Sequence, residues 1–237
     1  MNEEAEKKAF LKENTKTIIL SIFLLIIFIA IAADVSSNDT GLMLKTDAWL
    51  NTEMMSFQIQ SLNGIIILIT DILSPTTLII LSIAGAIFLF YRGWKSKAIF
   101  IALSVGGGAL LSYLTKIIFH RARPENGLIE ASSYSFPSGH AMMSVIFFSL
   151  VIYCFGKHIR NEAHRRLFII ANIVLASFSG LSRLYLNVHW LSDVVAGFLL
   201  GLSWIFFAIY FKKKSEKINM NLKFSEGTPQ SSEKNYS

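Results

Sequence analysis

Apolar residues in this chain of 237 residues form long runs that short polar segments interrupt. A helix that crosses a bilayer needs about 20 predominantly apolar residues. Six runs approach this length, and together they predict an all-α integral membrane bundle of six transmembrane helices. The six runs are Thr17–Ala33, Thr76–Tyr91, Ala98–Phe119, Ala141–Phe155, Leu167–Gly180 and Leu191–Phe211.

Three further segments have weaker patterns. Ser61–Leu73 is apolar, but it contains Asp71 and precedes a Ser-Pro pair. It therefore predicts a helix at the membrane interface or against the bundle, not a seventh span. Asn2–Thr15 carries mixed charges and predicts a short surface helix, while the polar composition of Ser215–Ser237 is typical of a disordered segment.

The orientation follows from the basic residues, which accumulate on the cytoplasmic side of membrane proteins. They cluster before the first span and after the second, fourth and sixth, so all four clusters fall on one face. Both termini are therefore predicted to be cytoplasmic, in a multi-pass protein of the inner (cytoplasmic) membrane. The chain divides into a cytoplasmic N-terminal segment (1–16), a six-span domain (17–211) and a basic, polar cytoplasmic tail (212–237).

The composition agrees with a membrane protein. Hydrophobic residues make up 53% of the chain and charged residues 16%, with a mean hydropathy of +0.50. Soluble domains carry about 25% charged residues. The net charge of +6 is explained by the topology, so no nucleic-acid partner is predicted. The single Cys154 excludes an internal disulfide and a multi-cysteine metal site.

Three polar patches lie at the edges of these spans, and all are predicted on the extracytoplasmic face. They are Lys116–Pro124, Pro137–His140 and Ser182–Asp193. Charged groups near lipid are costly and usually functional. Cations combined with histidines suit a site that holds a phosphate ester and attacks it.

In the third patch, His189 and Asp193 are four residues apart and would share a face of a helix. A carboxylate on the imidazole Nδ1–H leaves Nε2 free to act as a nucleophile. Arg183 adds a planar cation that suits bidentate contact with phosphate.

The second patch opens a span with Ser138 and Gly139, and a helix start favours an anion. His140, about one turn from an anion bound there, could donate a proton to a leaving oxygen. Lys116 and Arg123 are seven residues apart, so a helix would place both on one side, with Pro124 ending that helix.

Each patch alone has a simpler interpretation. Lys116 and Arg123 could extend to lipid headgroups. Arg121 could contact a headgroup, but the favoured prediction places it in a loop without a role in the site. His140, His189 and Asp193 could form a zinc site, but the nearby cations would repel a dication. Neither a metal nor another cofactor is therefore predicted.

The three patches together are similar to the tripartite signature of the type 2 phosphatidic acid phosphatase superfamily. The matching pattern is Lys116-x6-Arg123-Pro124, Pro137-Ser138-Gly139-His140 and Ser182-Arg183-x5-His189-x3-Asp193. The six spans favour its membrane branch, which resembles bacterial phosphatases of phosphatidylglycerophosphate and undecaprenyl pyrophosphate.

The resemblance implies a metal-independent lipid phosphatase. His189 would form a phosphohistidine, Asp193 would orient it, and His140 would protonate the leaving group. The phosphate would be held by Lys116, Arg123, Ser138, Gly139 and Arg183. The expected partners are a membrane lipid phosphate, which could be phosphatidic acid, and the bilayer, and no obligate protein partner is evident. A phosphotransferase and a lipid-binding or transport relative without catalysis are the alternatives.

Overall fold

The computed structural model describes residues 3–37 and 41–226, with side chains from residue 14 to 37 and from 41 to 218. Eight α-helices and one 3₁₀ turn, Gly156–His158, form this part of the chain. The helices are α1 (Glu3–Ser36), α2 (Leu42–Phe57), α3 (Gln60–Ile72), α4 (Pro75–Tyr91), α5 (Lys95–Phe119), α6 (Gly139–Phe155), α7 (Glu162–Tyr185) and α8 (Leu191–Glu226).

Six candidate membrane spans are present within the described residues, as the sequence predicted. Their length and hydropathy suffice to cross a bilayer. The helix predicted over Ser61–Leu73 is α3, and hydropathy joins it to α4 as one candidate span. The two helices are separated because Ser74 caps α4 through Thr77 N at 3.3 Å and Pro75 occupies its first position. The spans are Asn14–Ser36, Gln60–Tyr91, Lys95–Phe119, Gly139–His158, Glu162–Tyr185 and Leu191–Ile218.

The predictions for the two ends of the chain were wrong within the described residues. Asn2–Thr15 was predicted as a separate surface helix, but α1 runs without a break from Glu3 to Ser36. Disorder was predicted from Ser215, but α8 continues to Glu226, and residues 227–237 lie outside the described part. Polar residues can extend a helix at little cost once an apolar segment has formed its nucleus.

Helix α2 lies in a segment where the sequence pattern predicted no element. Asp34, near the end of α1, accepts hydrogen bonds from Leu42 N at 3.1 Å and Met43 N at 2.9 Å. A carboxylate that binds the first amides of a helix stabilises its N-terminus. This cap holds α2 beside the end of the bundle that carries the polar patches.

Helix α6 is the centre of the bundle and packs against α4, α5, α7 and α8. Its side chains Met142, Ile146 and Leu150 are buried in the main apolar core. Ser144 Oγ donates to Ala176 O of α7 at 3.1 Å, which satisfies a polar group inside the bundle. The position of α6 therefore fixes where the second polar patch lies.

Two glycines of α8 allow that helix to approach α6 closely. A Cβ atom at Gly197 would lie 2.6 Å from Ser138 O and 2.9 Å from Ala141 Cβ. A Cβ atom at Gly201 would lie 2.8 Å from Met142 O. Small residues four apart commonly permit such contact between membrane helices. Here the contact brings the start of α6 to the start of α8.

We expect Gly197→Ala to separate α6 from α8, because the added methyl meets backbone atoms that cannot rotate away. Overpacking of this kind typically costs about 1–3 kcal/mol. Thermal unfolding in detergent should show a lower melting temperature. Gly106→Ala is the matched control, since nothing lies within 4 Å of its added Cβ. An equal loss in both variants would contradict the packing argument.

Candidate functional site

The three polar patches come together at one end of the bundle, where α5 and α7 end and α6 and α8 begin. Ser138 N donates to Asp193 O at 2.9 Å, which joins the second patch to the third. A Cβ atom on Gly139 would lie 4.0 Å from Lys116 Cε, so the first patch adjoins the second. The structure thus assembles the patches that the sequence predicted on one face.

His189 and Asp193 form a buried hydrogen-bonded pair. His189 Nδ1 lies 3.2 Å from Asp193 Oδ2, and Trp190 N donates to the same oxygen at 2.9 Å. The two residues are 3% and 0% exposed. His189 precedes the first residue of α8 by two positions, so the predicted contact forms across the helix start.

The contacts of Arg123 determine the tautomer of His189. Arg123 Nη1 lies 2.9 Å from His189 Nε2. A guanidinium can only donate, so Nε2 must accept and Nδ1 must carry the proton. That proton is then donated to Asp193. The lone pair of His189 therefore lies on Nε2, on the side of the ring away from the carboxylate.

Arg123 reaches this position from a loop, and the predicted helical register of Lys116 and Arg123 was wrong. Helix α5 ends at Phe119, and His120 adopts a left-handed conformation with φ of 44°. The chain then holds Arg123 through Nε to Ser133 O and Nη1 to Val188 O, both at 2.6 Å. Such a left-handed residue is a common helix terminator.

The other predicted site residues lie around His189. Ser138 Oγ, His140 Nε2 and Arg183 Nε are buried without a hydrogen-bond partner among the described residues. Ser138 precedes α6, but its side chain makes no capping hydrogen bond. Lys116 Nζ donates to Tyr134 O. His140 is close enough for electrostatic interaction with Arg183, His189, Arg123 and Lys116.

This arrangement can hold an anion. Buried polar groups normally have partners, and phosphate oxygens would accept from the Ser138, His140 and Arg183 donors. Lys116, Arg123 and Arg183 form no ion pair with any described carboxylate. Their positive charge therefore remains available for a ligand.

Burial controls the ionisation of two groups in the loops. It lowers the pKa of His189 to about 4, which the hydrogen bond and negative charge of Asp193 oppose and the charges of Arg123 and Lys116 reinforce. Burial also lowers the pKa of Arg123, although Asp193 opposes this. His189 is thus a neutral base at neutral pH, as a nucleophile must be.

Sequence reasoning missed two residues at this site. Arg121 was predicted to lie in a loop without a role, but it donates to Asp193 Oδ1 at 2.6 Å and Asp47 Oδ2 at 2.7 Å. Asp47 belongs to α2, for which the sequence offered no pattern. An acidic residue within an otherwise apolar face of that helix was the only available signal.

The donors of the alternative zinc site do not form a metal-binding group. Within residues 14–37 and 41–218, no three His, Cys, Asp or Glu side chains are arranged to hold a metal ion. His189 Nδ1 faces Asp193, and its Nε2 faces a guanidinium.

A model of the PAP2 superfamily matches residues 97–217. Phosphatidylglycerophosphatase B of Bacillus subtilis is 33% identical over 141 residues, which cover 59% of this chain and 68% of that protein. Undecaprenyl-diphosphatase of Sulfolobus acidocaldarius is 28% identical over 162 residues, 63% of this chain and 70% of that protein. Lipid A 1-phosphatase of Porphyromonas gingivalis is 31% identical over 111 residues, 47% of this chain and 23% of that protein.

The fold is also similar to a solved structure. The crystal structure of a transmembrane PAP2-type phosphatidylglycerolphosphate phosphatase from Bacillus subtilis matches with a TM-score of 0.72 and 30% identity. The match covers 82% of this chain and 96% of that one.

We expect the imidazole of His189 to titrate near pH 4, well below the ordinary value of about 6.5. Replacing Arg123 by Gln should raise this pKa, because it removes a cation that opposes protonation. NMR of the protein with labelled histidine, which has five histidines in all, can follow the ring signals in detergent. Titration near 6.5 in the unsubstituted protein, with no response to Arg123→Gln, would contradict the burial and charge arguments.

Proposed function

This chain belongs to the PAP2 superfamily, and from this premise we propose that it is a membrane lipid phosphatase that works through a phosphohistidine at His189. Relatives with known names act on phosphatidylglycerophosphate, undecaprenyl diphosphate or a lipid A phosphate. All three substrates join a phosphate group to a membrane anchor. We therefore propose that the substrate of this chain is a lipid phosphate, either a monoester or a diphosphate.

One observation carries the proposal. The lone pair of His189 Nε2 lies on the side that faces the Arg123 guanidinium at 2.9 Å, while Asp193 holds Nδ1–H on the other side. A phosphate between His189 and Arg123 would present phosphorus to the nucleophile and oxygen to the cation. Substrate must therefore replace the Arg123–His189 hydrogen bond before attack.

In the first step, the Nε2 lone pair forms an N–P bond and the P–O bond to the lipid breaks. The ring becomes cationic, and Asp193 stabilises that charge through Nδ1–H. The leaving oxygen takes a proton from His140, whose unpartnered Nε2 lies within the same cluster. Proton donation to the leaving group typically contributes about 10²–10⁴-fold to such reactions.

In the second step, water attacks the phosphorus and the N–P bond breaks, which returns the electron pair to Nε2. His140 accepts the water proton and regains its acidic form. Inorganic phosphate leaves, and His189 is again neutral. The two histidines thus carry all proton and phosphoryl transfers, with no metal ion required.

The cations supply the electrostatic part of catalysis. Lys116, Arg123 and Arg183 would contact the phosphate oxygens together with Ser138 and the Gly139 amide. Charge spreads over the equatorial oxygens during phosphoryl transfer, so fixed cations stabilise the transition state. None of the three cations is neutralised by a described carboxylate, which favours this role.

We place the site at the extracytoplasmic face of a cell membrane, because the basic clusters lie at the opposite ends of the spans. Arg92 lies in the turn between α4 and α5, and Lys95 and Lys97 lie in the first turn of α5. The connection between α6 and α7 carries Lys157 and Arg160. Both termini would then be cytoplasmic. A lipid head could enter the site from the plane of the outer leaflet.

We expect His189→Ala to lower phosphate release from lipid phosphates by at least about 10³-fold, because the nucleophile is lost. Purified protein would be tested in detergent with EDTA on phosphatidylglycerophosphate, undecaprenyl pyrophosphate and phosphatidic acid. Relative values of kcat/KM would rank the substrates. Acid-quenched protein labelled with ³²P should retain phosphate in the unsubstituted form only.

His164→Ala is the matched control, since this exposed histidine lies at the opposite end of the bundle and should keep full activity. Loss of all activity in EDTA, restored by zinc, would overturn the metal-free mechanism. Transfer of phosphate to an added acceptor with little free phosphate would make the chain a phosphotransferase. Lipid binding without turnover would make it a binding protein.

The proposed orientation can be tested with cysteine labelling. Cys154 is the only cysteine and is buried, so Cys154→Ala gives a background without thiols. In that background, Ser132→Cys lies beside the site and Ala163→Cys at the opposite end, both exposed. A membrane-impermeant maleimide should label only the first in intact cells and both after lysis. The reverse pattern would place the site in the cytoplasm.

A further inference from the structure

Two charged side chains, one buried and one mostly buried, lie behind the proposed nucleophile and have no part in the steps above. Asp47 of α2 is 2% exposed and Arg121 is 11% exposed at their side chains. The described hydrogen bonds of their side chains do not include Ser138, His140 or Arg183. Burying charged side chains costs free energy. The presence of the Asp47–Arg121 pair beside the proposed nucleophile therefore suggests that the pair has a function there.

The guanidinium of Arg121 bridges two carboxylates. Nη1 donates to Asp193 Oδ1 at 2.6 Å, and Nη2 donates to Asp47 Oδ2 at 2.7 Å. Asp193 Oδ2 receives the His189 and Trp190 hydrogen bonds. The two oxygens of Asp193 are therefore divided, one for Arg121 and one for the nucleophile.

Ser192 completes the bridge. Its Oγ is 2.5 Å from Asp47 Oδ2 and 2.7 Å from Arg121 Nη1, and its backbone amide donates to Asp47 Oδ1 at 2.8 Å. Both oxygens of Asp47 are thus bound to the residue that precedes Asp193. This geometry holds the start of α8 against α2.

The charges of Asp47 and Arg121 explain why the site needs both residues. Arg121 alone would neutralise Asp193 and reduce the stabilisation that it gives to a cationic His189. Asp47 compensates Arg121, so the formal charges of Asp47, Arg121 and Asp193 sum to −1. Without Arg121, two carboxylates would lie buried near each other with no cation between them, which is costly.

We infer that Asp47 and Arg121 are positioning residues that orient Asp193 and set the negative charge that it presents to His189. This inference rests on the proposed function of His189. Asp47 lies outside residues 97–217, the part that matches the superfamily model, so α2 contributes to the site from beyond that region.

Other charged groups also face His189 and must stay constant in any comparison. They come from the end of α5, the loop that follows it, and helices α6, α7 and α8. These groups are Lys116, Arg123, His140, Arg183 and Asp193. None of them changes in the variants below, so differences among the variants report on Asp47 and Arg121.

The test compares Asp47→Asn, Arg121→Gln and the double variant for kcat, KM and the titration of His189 by NMR. Net charge behind His189 becomes about 0 in Asp47→Asn and about −2 in Arg121→Gln, and it returns to −1 in the double variant. The His189 pKa should fall in the first, rise in the second by about one pH unit, and return towards its original value in the double.

The single variants should lower kcat and leave KM nearly unchanged. Neither residue contacts substrate in the proposed mechanism, so KM should stay within about threefold. Each single variant should lower kcat about 10- to 100-fold, the range typical of residues that orient a site's ligands. The double variant should lose much less than the product of the two single losses, because the partners act as a pair.

Asp34→Ala is the control for the placement of α2. It removes the carboxylate that caps this helix and leaves the charges behind His189 unchanged. We expect a lower melting temperature with an unaltered His189 pKa. If Asp34→Ala reproduced the pKa shifts, or if the single losses in kcat simply multiplied, the inference would be overturned.

Stability gives a second readout if Arg121→Gln folds poorly. Restoring the charge balance should make the double variant melt at a higher temperature than Arg121→Gln alone. A double variant less stable than both single variants would contradict charge compensation. An unsubstituted protein without phosphatase activity would instead refute the proposed function, which separates the two failures.

Discussion

The fully buried carboxylate of Asp193 is the group on which the rest of the site depends. Its two oxygens and its backbone carbonyl each connect to a different part of the chain. Oδ2 binds His189, Oδ1 binds Arg121, and the carbonyl accepts from Ser138 N at 2.9 Å. A buried carboxylate must have all of its oxygens satisfied. Meeting that requirement fixes His189, the loop that carries Arg121 and the start of α6 relative to one another.

The bundle can satisfy this requirement because its helices approach closely at the same level. Gly197 lies one turn beyond Asp193 on α8. The backbone of Ser138 packs against it in the space that a side chain would fill. Membrane helices gain little from apolar contact with each other, since lipid is equally apolar. Close packing and hydrogen bonds must therefore hold them together. The same glycine contact that brings α6 to α8 also places Ser138 where its amide reaches Asp193.

The sequence predicted the six spans correctly, because they depend on local patterns, and it named candidate site residues in three patches that the structure brings together. Long apolar runs predict helices from composition alone, and the spacing of His189 and Asp193 matches one helical turn. The predicted helical path to Arg123 was wrong because a left-handed residue at His120 ends α5 at Phe119, four residues before the predicted end. Asp47 was missed because its partners, Arg121 and Ser192, are more than 70 residues away. Contacts at that separation depend on the packing of α2, which no local pattern specifies.

The site separates its arginines into two electrostatic classes. Arg121 forms ion pairs with two carboxylates, so its charge is balanced within the protein. Arg123 donates to carbonyls and to His189, and Arg183 has an unpartnered Nε, so their charges remain for a ligand. Asp47 and Asp193 lie on the Nδ1 side of His189, whereas Lys116, Arg123 and Arg183 form no ion pair with a described carboxylate. This asymmetry creates a field across the His189 ring, negative at Nδ1 and positive beyond Nε2. Such a field favours an anion at Nε2 and a cationic ring, which are the two charge states that the proposed phosphoryl transfer to His189 would require.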